Sequence, residues 1–152
     1  MTLDPDFEEF IKLLNQFEVA YMVVGGYALA FPGKPRYTGD LDIWIGISDD
    51  NASKMLLVLK EFGFGLLGFE KEDFLKENLI NQLGYPPLRI DILTSIDGVS
   101  FEEAYQHKQI IEIEDWKANY IGLNDFIRNK QASGRLQDLA DVKVLESKQR
   151  KP

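Results

Sequence analysis

The chain has 152 residues, 45% of them hydrophobic and 28% charged, and a formal net charge of −8. That describes one globular unit able to bury roughly two-thirds of its unfolded surface. It has no cysteine, which excludes disulfide frameworks, zinc–thiolate sites and thiol nucleophiles, and its acidity argues against a protein that holds nucleic acid mainly by coating phosphates. A nucleotide or RNA held at a local basic site stays open. No apolar run reaches the ~18 residues of a membrane helix, and "MTLDPDFEEF" lacks the layout of a secretory signal. A single domain over 1–152, in a cytoplasmic setting and not in a membrane, is expected.

In chain order, "LDPDFEEFIKLLNQF" places Phe7, Phe10, Ile11, Leu14 and Phe17 at helical spacing, with Asp4 as cap and Pro5 at the first helical position. "VAYMVV" reads as a buried strand that stops at Gly25-Gly26, and "YALAF" as one or two helical turns ended by Pro32-Gly33. "DLDIWIGI" alternates, with Asp40, Asp42 and Trp44 on one face and Leu41, Ile43 and Ile45 on the other. Asp49 or Asp50 caps a second helix whose apolar side carries Ala52, Met55, Leu56, Leu59 and Phe62 and which ends at Gly63. Residues 64–78 read as a loop with a short helix. "LINQL" and "LRIDIL" form two strands around the turn "GYPP", "SFEEAY" is a brief helix, and "QIIEIED" alternates as one strand. "NDFIRNKQASGRLQDLADVKVLESK" predicts a C-terminal helical pair broken at Ser133-Gly134, with 145–152 as a frayed tail. Interleaved strands and helices without strict alternation predict an α/β or α+β fold with a mixed sheet flanked by helices.

The chemistry centres on Asp40 and Asp42. Strand residues i and i+2 point the same way, about 6.6–6.8 Å apart, and two carboxylates buried there without partners repel at a cost of several kcal/mol. Mg²⁺ resolves this, since it binds one or two carboxylates, keeps waters and accepts substrate phosphates. Asp91 in "LRIDIL" adds a third carboxylate on a strand that its neighbours Ile90 and Ile92 mark as buried. If the two strands are neighbours, three carboxylates meet, the arrangement that two-metal phosphoryl transfer needs, with one ion for the attacking oxygen and one for the leaving oxygen. The plain alternatives are turn chemistry in "TGDLD" and a private pair between Arg89 and Asp91. "VVGGY" ends a strand in two glycines and runs into helix, which lets backbone N–H groups approach a phosphate; alone, it is equally a tight turn.

Together these pieces resemble the nucleotidyltransferase superfamily that includes DNA polymerase beta. Its motif, an apolar residue, Gly, Gly or Ser, a spacer and Asp-x-Asp/Glu, stands here as Val24-Gly25-Gly26, then residues 27–39, then Asp40-Leu41-Asp42. With the late "NKQASGRLQDLADV", the chain is similar to the small bacterial nucleotidyltransferases, including AbiEii-type toxins of toxin–antitoxin pairs. The resemblance implies a nucleotidyltransferase-like fold and transfer of a nucleoside monophosphate from an NTP to an acceptor hydroxyl on RNA, protein or a small molecule. It implies Mg²⁺ (or Mn²⁺) on Asp40, Asp42 and Asp91, with Asp91 helping to deprotonate the acceptor. Gly25 and Gly26 would hold phosphates, Arg36 and Thr38 would contact them, and Lys130, Arg135 and Asp138 would close over the nucleotide. An antitoxin partner belongs to the same implication. Lys130 and Arg135 read equally as a solvated helix face, and "DLADV" as helix packing. His107, the only histidine, sits near a helix end and takes no role. The rival is a catalytically silent nucleotide- or partner-binding module of the same fold.

Overall fold

The computed structural model describes residues 4–26, 39–85, 88–135, 140 and 142–143. Helix α1 (Pro5–Gln16) buries Phe7, Phe10, Ile11 and Leu14, and the Asp4 carboxylate accepts the Asp6 N–H at 2.9 Å, as the spacing and cap predict. Strand β1 (Tyr21–Val24) is buried along its length, and β2 (Asp40–Ile45) follows. Helix α2 (Asp49–Phe62) is capped by Ser48, whose hydroxyl accepts the Asn51 N–H at 3.0 Å. Asp49 and Asp50 lie instead in its first turn, where the positive end of the helix favours them. Gly63 closes α2 at a φ of +100°.

Two short 3₁₀ turns, Gly65–Leu67 and Lys71–Phe74, fill the stretch read as a loop. Then come β3 (Ile80–Tyr85), β4 (Leu88–Leu93), α3 (Phe101–Gln106), β5 (Gln109–Ile113), β6 (Trp116–Tyr120) and α4 (Leu123–Ser133). Where "QIIEIED" predicts one strand, the structure has a hairpin. Ile113 pairs with Trp116 across Glu114 and Asp115, with Glu114 at a φ of +58°. The second strand alternates buried Trp116, Ala118 and Tyr120 with Lys117 and Asn119. The "YALAF" turns and most of the second C-terminal helix lie outside the described residues, although 140 and 142–143 are helical.

The six strands form one mixed sheet in the order β3-β4-β2-β1-β6-β5. Strand β2 runs antiparallel to β1 and parallel to β4, and β1 is parallel to β6. On one face Tyr21, Val23, Leu41 and Ile43 are fully buried. From there the Tyr21 hydroxyl donates to Asn15 of α1 at 2.8 Å and accepts the Asn119 N–H at 3.2 Å. Burial pushes that hydroxyl up to about 12 despite both bonds. The opposite face carries Asp40, Asp42 and Trp44, with Trp44 edge-on to Phe101 of α3 at 5.1 Å. Among the described residues, no helix is long and apolar enough to cross a membrane.

Asn51, 4% exposed, ties this arrangement together. Its side chain accepts the Ala20 N–H at 2.8 Å and donates to the carbonyls of Ala20 at 3.1 Å and Gly46 at 2.8 Å. It thus locks the start of α2 to the entry of β1 and the exit of β2. Asn51→Ala strands buried backbone groups and is expected to cost about 3 kcal/mol. Urea unfolding checks this: the midpoint should fall with no change in slope.

Candidate active site

The register of β2 against β4 builds the site. In this parallel pair Asp40 lies opposite Arg89 and Asp42 opposite Asp91, so all four side chains share the face of the sheet turned to α3 and α4. On the other flank Val24 of β1 pairs with Asp42, and the chain turns at Gly25 directly afterwards. Gly25 has a φ of +70°, and a Cβ there would overlap the Asp42 Oδ2. Only glycine lets the backbone come this close to the carboxylate.

Arg89 is the hub of the trio. Its Nε donates to Asp91 Oδ1 at 2.9 Å, and its second terminal nitrogen donates to Asp91 Oδ2 at 3.1 Å and to Asp40 Oδ2 at 3.2 Å. These bonds hold the guanidinium charged and raise its pKa. Arg89 therefore does pair with Asp91, but the same fork also gathers Asp40, so the pair is not private. Asp42 is pushed up to about 7, first by burial and then by the charges of Asp91 and Asp40, with Lys130 and Arg89 pulling the other way.

Lys130 comes from α4 and is 5% exposed, its ammonium 5.2 Å from the Phe126 ring. It lines a cavity of about 410 Å³ together with Gly25, Asp42, Asp91 and Arg135. For Lys130 the solvated-face reading fails, since the side chain is buried beside the carboxylates; Arg135 lines the same cavity but is itself exposed. Gly26 follows Gly25 at the mouth of β1. Arg36, Thr38 and Asp138 lie outside the described residues.

Asn78, Ser95 and Asp97 line the same cavity and escape the sequence reading. Asn78, at a φ of +64°, donates its N–H to Ser95 Oγ at 2.8 Å, and that hydroxyl donates back to Asn78 Oδ1 at 3.1 Å. A signal did exist: "TSIDG" directly follows the strand that carries Asp91, and ligands of open sheets gather beyond strand carboxyl ends. His107 lies elsewhere, its Nδ1 3.5 Å from Asp125, whose other oxygen takes Arg128 at 3.0 Å.

A divalent cation fits the donor set. Asp40, Asp42 and Asp91 offer hard oxygens on one face, and their mutual repulsion is what such an ion relieves. As they stand, no three acidic or histidine side chains among the described residues form a ready ligand group, and Arg89 holds oxygens of Asp40 and Asp91.

Neither a scan against protein-family models nor a search of curated proteins finds a match. Among solved structures, TM1012 from Thermotoga maritima, assigned as a nucleotidyltransferase, superposes with a TM-score of 0.60 at 15% identity, over 96% of this chain and 94% of that one. The lincosamide antibiotic adenylyltransferase LnuA, with lincomycin bound, superposes with a TM-score of 0.56 at 16% identity, over 96% of this chain and 98% of that one. With its mixed sheet, its paired strand carboxylates and these two neighbours, the chain has the fold of the nucleotidyltransferase superfamily.

Proposed function

We propose that the protein is a divalent-cation-dependent nucleotidyltransferase that moves a nucleoside monophosphate from an NTP to an acceptor hydroxyl and releases pyrophosphate. The observation that carries this reading is the register that sets Asp42 against Asp91, both lining one cavity, with Asp40 two residues earlier on the same face of the strand. Asp40 and Asp42, completed by Asp91, would hold Mg²⁺ or Mn²⁺, which when bound neutralises charge on the phosphate oxygens. Gly25 and Gly26 would hold the phosphates at the strand end, and Lys130 and Arg135 supply positive charge from the cavity wall. Arg36, Thr38 and Asp138 complete the proposed nucleotide contacts. Asp91 would also help to deprotonate the acceptor hydroxyl.

For the acceptor, a small hydroxylated molecule is favoured over RNA. The chain carries −8, the cavity wall adds Asp97 beside Asn78 and Ser95, and one structural neighbour is an adenylyltransferase of a lincosamide antibiotic. Transfer of α-labelled phosphate to lincomycin, against bulk tRNA and the protein itself, reads this preference. Labelled tRNA would return the acceptor to RNA and favour the toxin reading.

The site itself is tested by thermal unfolding with each of the four NTPs, with and without Mg²⁺, on wild type and Asp40→Ala/Asp42→Ala. A ligand at a hundred times its Kd stabilises by about 2.7 kcal/mol, a rise on the order of 5–10 °C here. The expected result is a Mg²⁺-dependent rise for at least one NTP that chelation removes and the double variant lacks. No rise with any NTP would overturn the reading. A rise without turnover on any acceptor would leave the silent binding module as the better account.

A further inference from the structure

The acidic trio already contains a cation of its own. Arg89 stands opposite Asp40 in the β2–β4 register and two residues before Asp91 on the same strand, so its side chain rises from the sheet between the two. Its planar fork matches carboxylate geometry, and among the described residues its hydrogen bonds go to Asp40 and Asp91 and not to Asp42. The side chain is about three-quarters covered, as a group built into the site is. Three of the six oxygens of the trio accept from the guanidinium, so a divalent ion drawn to these carboxylates meets a cation already at contact distance, and the two repel.

We infer that Arg89 is the resident counter-cation of this site and that it competes with the divalent ion for Asp40 and Asp91. This rests on the reading of Asp40, Asp42 and Asp91 as ion ligands. The nucleotide-free chain then holds the ion weakly. A bound triphosphate offers the guanidinium phosphate oxygens of equal geometric fit, which frees the carboxylates and strengthens ion binding. The coupling is reciprocal, so the ion strengthens nucleotide binding by the same factor. Arg89 makes and breaks no covalent bond in the reaction: it holds the carboxylates in the nucleotide-free chain and phosphate oxygens once the nucleotide is bound.

The test is Mn²⁺ titration followed by the electron paramagnetic resonance of the free ion, on wild type, Arg89→Gln, Arg89→Lys and Asp42→Asn, each alone and with a non-hydrolysable NTP analogue. Melting temperature is recorded for every chain. Without nucleotide, Arg89→Gln is expected to bind Mn²⁺ roughly 5- to 100-fold more tightly than wild type and to gain less from the analogue. Without metal it should melt lower, since two carboxylates lose their counter-charge, and Mn²⁺ should restore it. Arg89→Lys keeps the charge without the fork, so it should shift affinity the same way by less, and it carries the test if the glutamine variant does not fold. A folded Arg89 variant with wild-type or weaker Mn²⁺ affinity would overturn the inference and leave Arg89 a structural pair. Absence of Mn²⁺ binding in every chain, or binding that survives Asp42→Asn, would overturn the ion-ligand reading along with it.

Discussion

Asp42→Asn is expected to abolish nucleotidyl transfer while making the metal-free protein more stable. The two effects share one cause. Asp42 ionises at an ordinary 3.8 in the unfolded chain but at about 7 in the fold, where burial and the charges of Asp91 and Asp40 oppose its negative form. The folded state therefore binds this proton more tightly than the unfolded state. Below about pH 4 both states are protonated and the carboxylate costs nothing. As pH rises toward 7 the unfolded chain gains by ionising, so the native state loses relative stability, and above about 7 the cost is complete. Asparagine removes it. At pH 8 without metal the variant should be more stable by on the order of 4 kcal/mol, and the difference should vanish near pH 4. Urea midpoints across that range check the sign; a variant less stable than wild type at pH 8 would contradict it. Transfer should fall by about a thousandfold or more, several kcal/mol of lost charge stabilisation. Ion and proton compete for one carboxylate, so the stabilisation of wild type by Mg²⁺ should be larger at pH 8 than at pH 5.5.

Gly25→Ala should damage both fold and activity, unlike Asp42→Asn. The backbone at +70° is one that L-residues adopt at a cost of about 1–2 kcal/mol. The added methyl would also meet the Asp42 carboxylate, which must move. The expected result is a loss of roughly 2–3 kcal/mol by denaturant unfolding, with transfer reduced about a hundredfold from the misplaced ligand. Gly134→Ala is the control. It too sits at positive φ, +68°, but a Cβ there meets nothing within 4 Å. It should show the backbone cost alone and keep its activity. Equal loss of activity in the two variants would mean that the contact with Asp42 is unimportant.

What the sequence made legible was whatever depends on local period. The apolar spacing of α1, the alternation of β2 and the three aspartates all translate directly into faces, and faces decide which side chains can meet. The adjacency of β2 and β4 was a condition rather than a reading, because strand order depends on contacts between distant segments. The hairpin partner β6 was overlooked although Trp116, Ala118 and Tyr120 alternate plainly; the acidic turn before them read as the end of the segment. Ser48 lost the cap of α2 to two neighbouring aspartates for a similar reason, since all three residues suit that place and only geometry separates them. Asn51 was invisible because its three bonds all reach to backbone outside its own helix. Arg89 was visible as a neighbour of Asp91, but its hold on Asp40 required the parallel register.

That register has a consequence for how the chain reaches its native state. Arg89 and Asp40 are 49 positions apart, so the charged cluster cannot exist until β4 has been synthesised and has found β2 across an intervening helix and strand. A slip of one residue in that search would turn Asp91 and Arg89 into the layer of Leu41 and Ile43, and lift Ile90 and Ile92 out of it. Burying unmatched charges among those side chains would cost several kcal/mol. Asp40, Arg89 and Asp91 thus also act as a proofreading device during folding, penalising the misaligned sheets that an uninterrupted run of Val, Ile and Leu would tolerate.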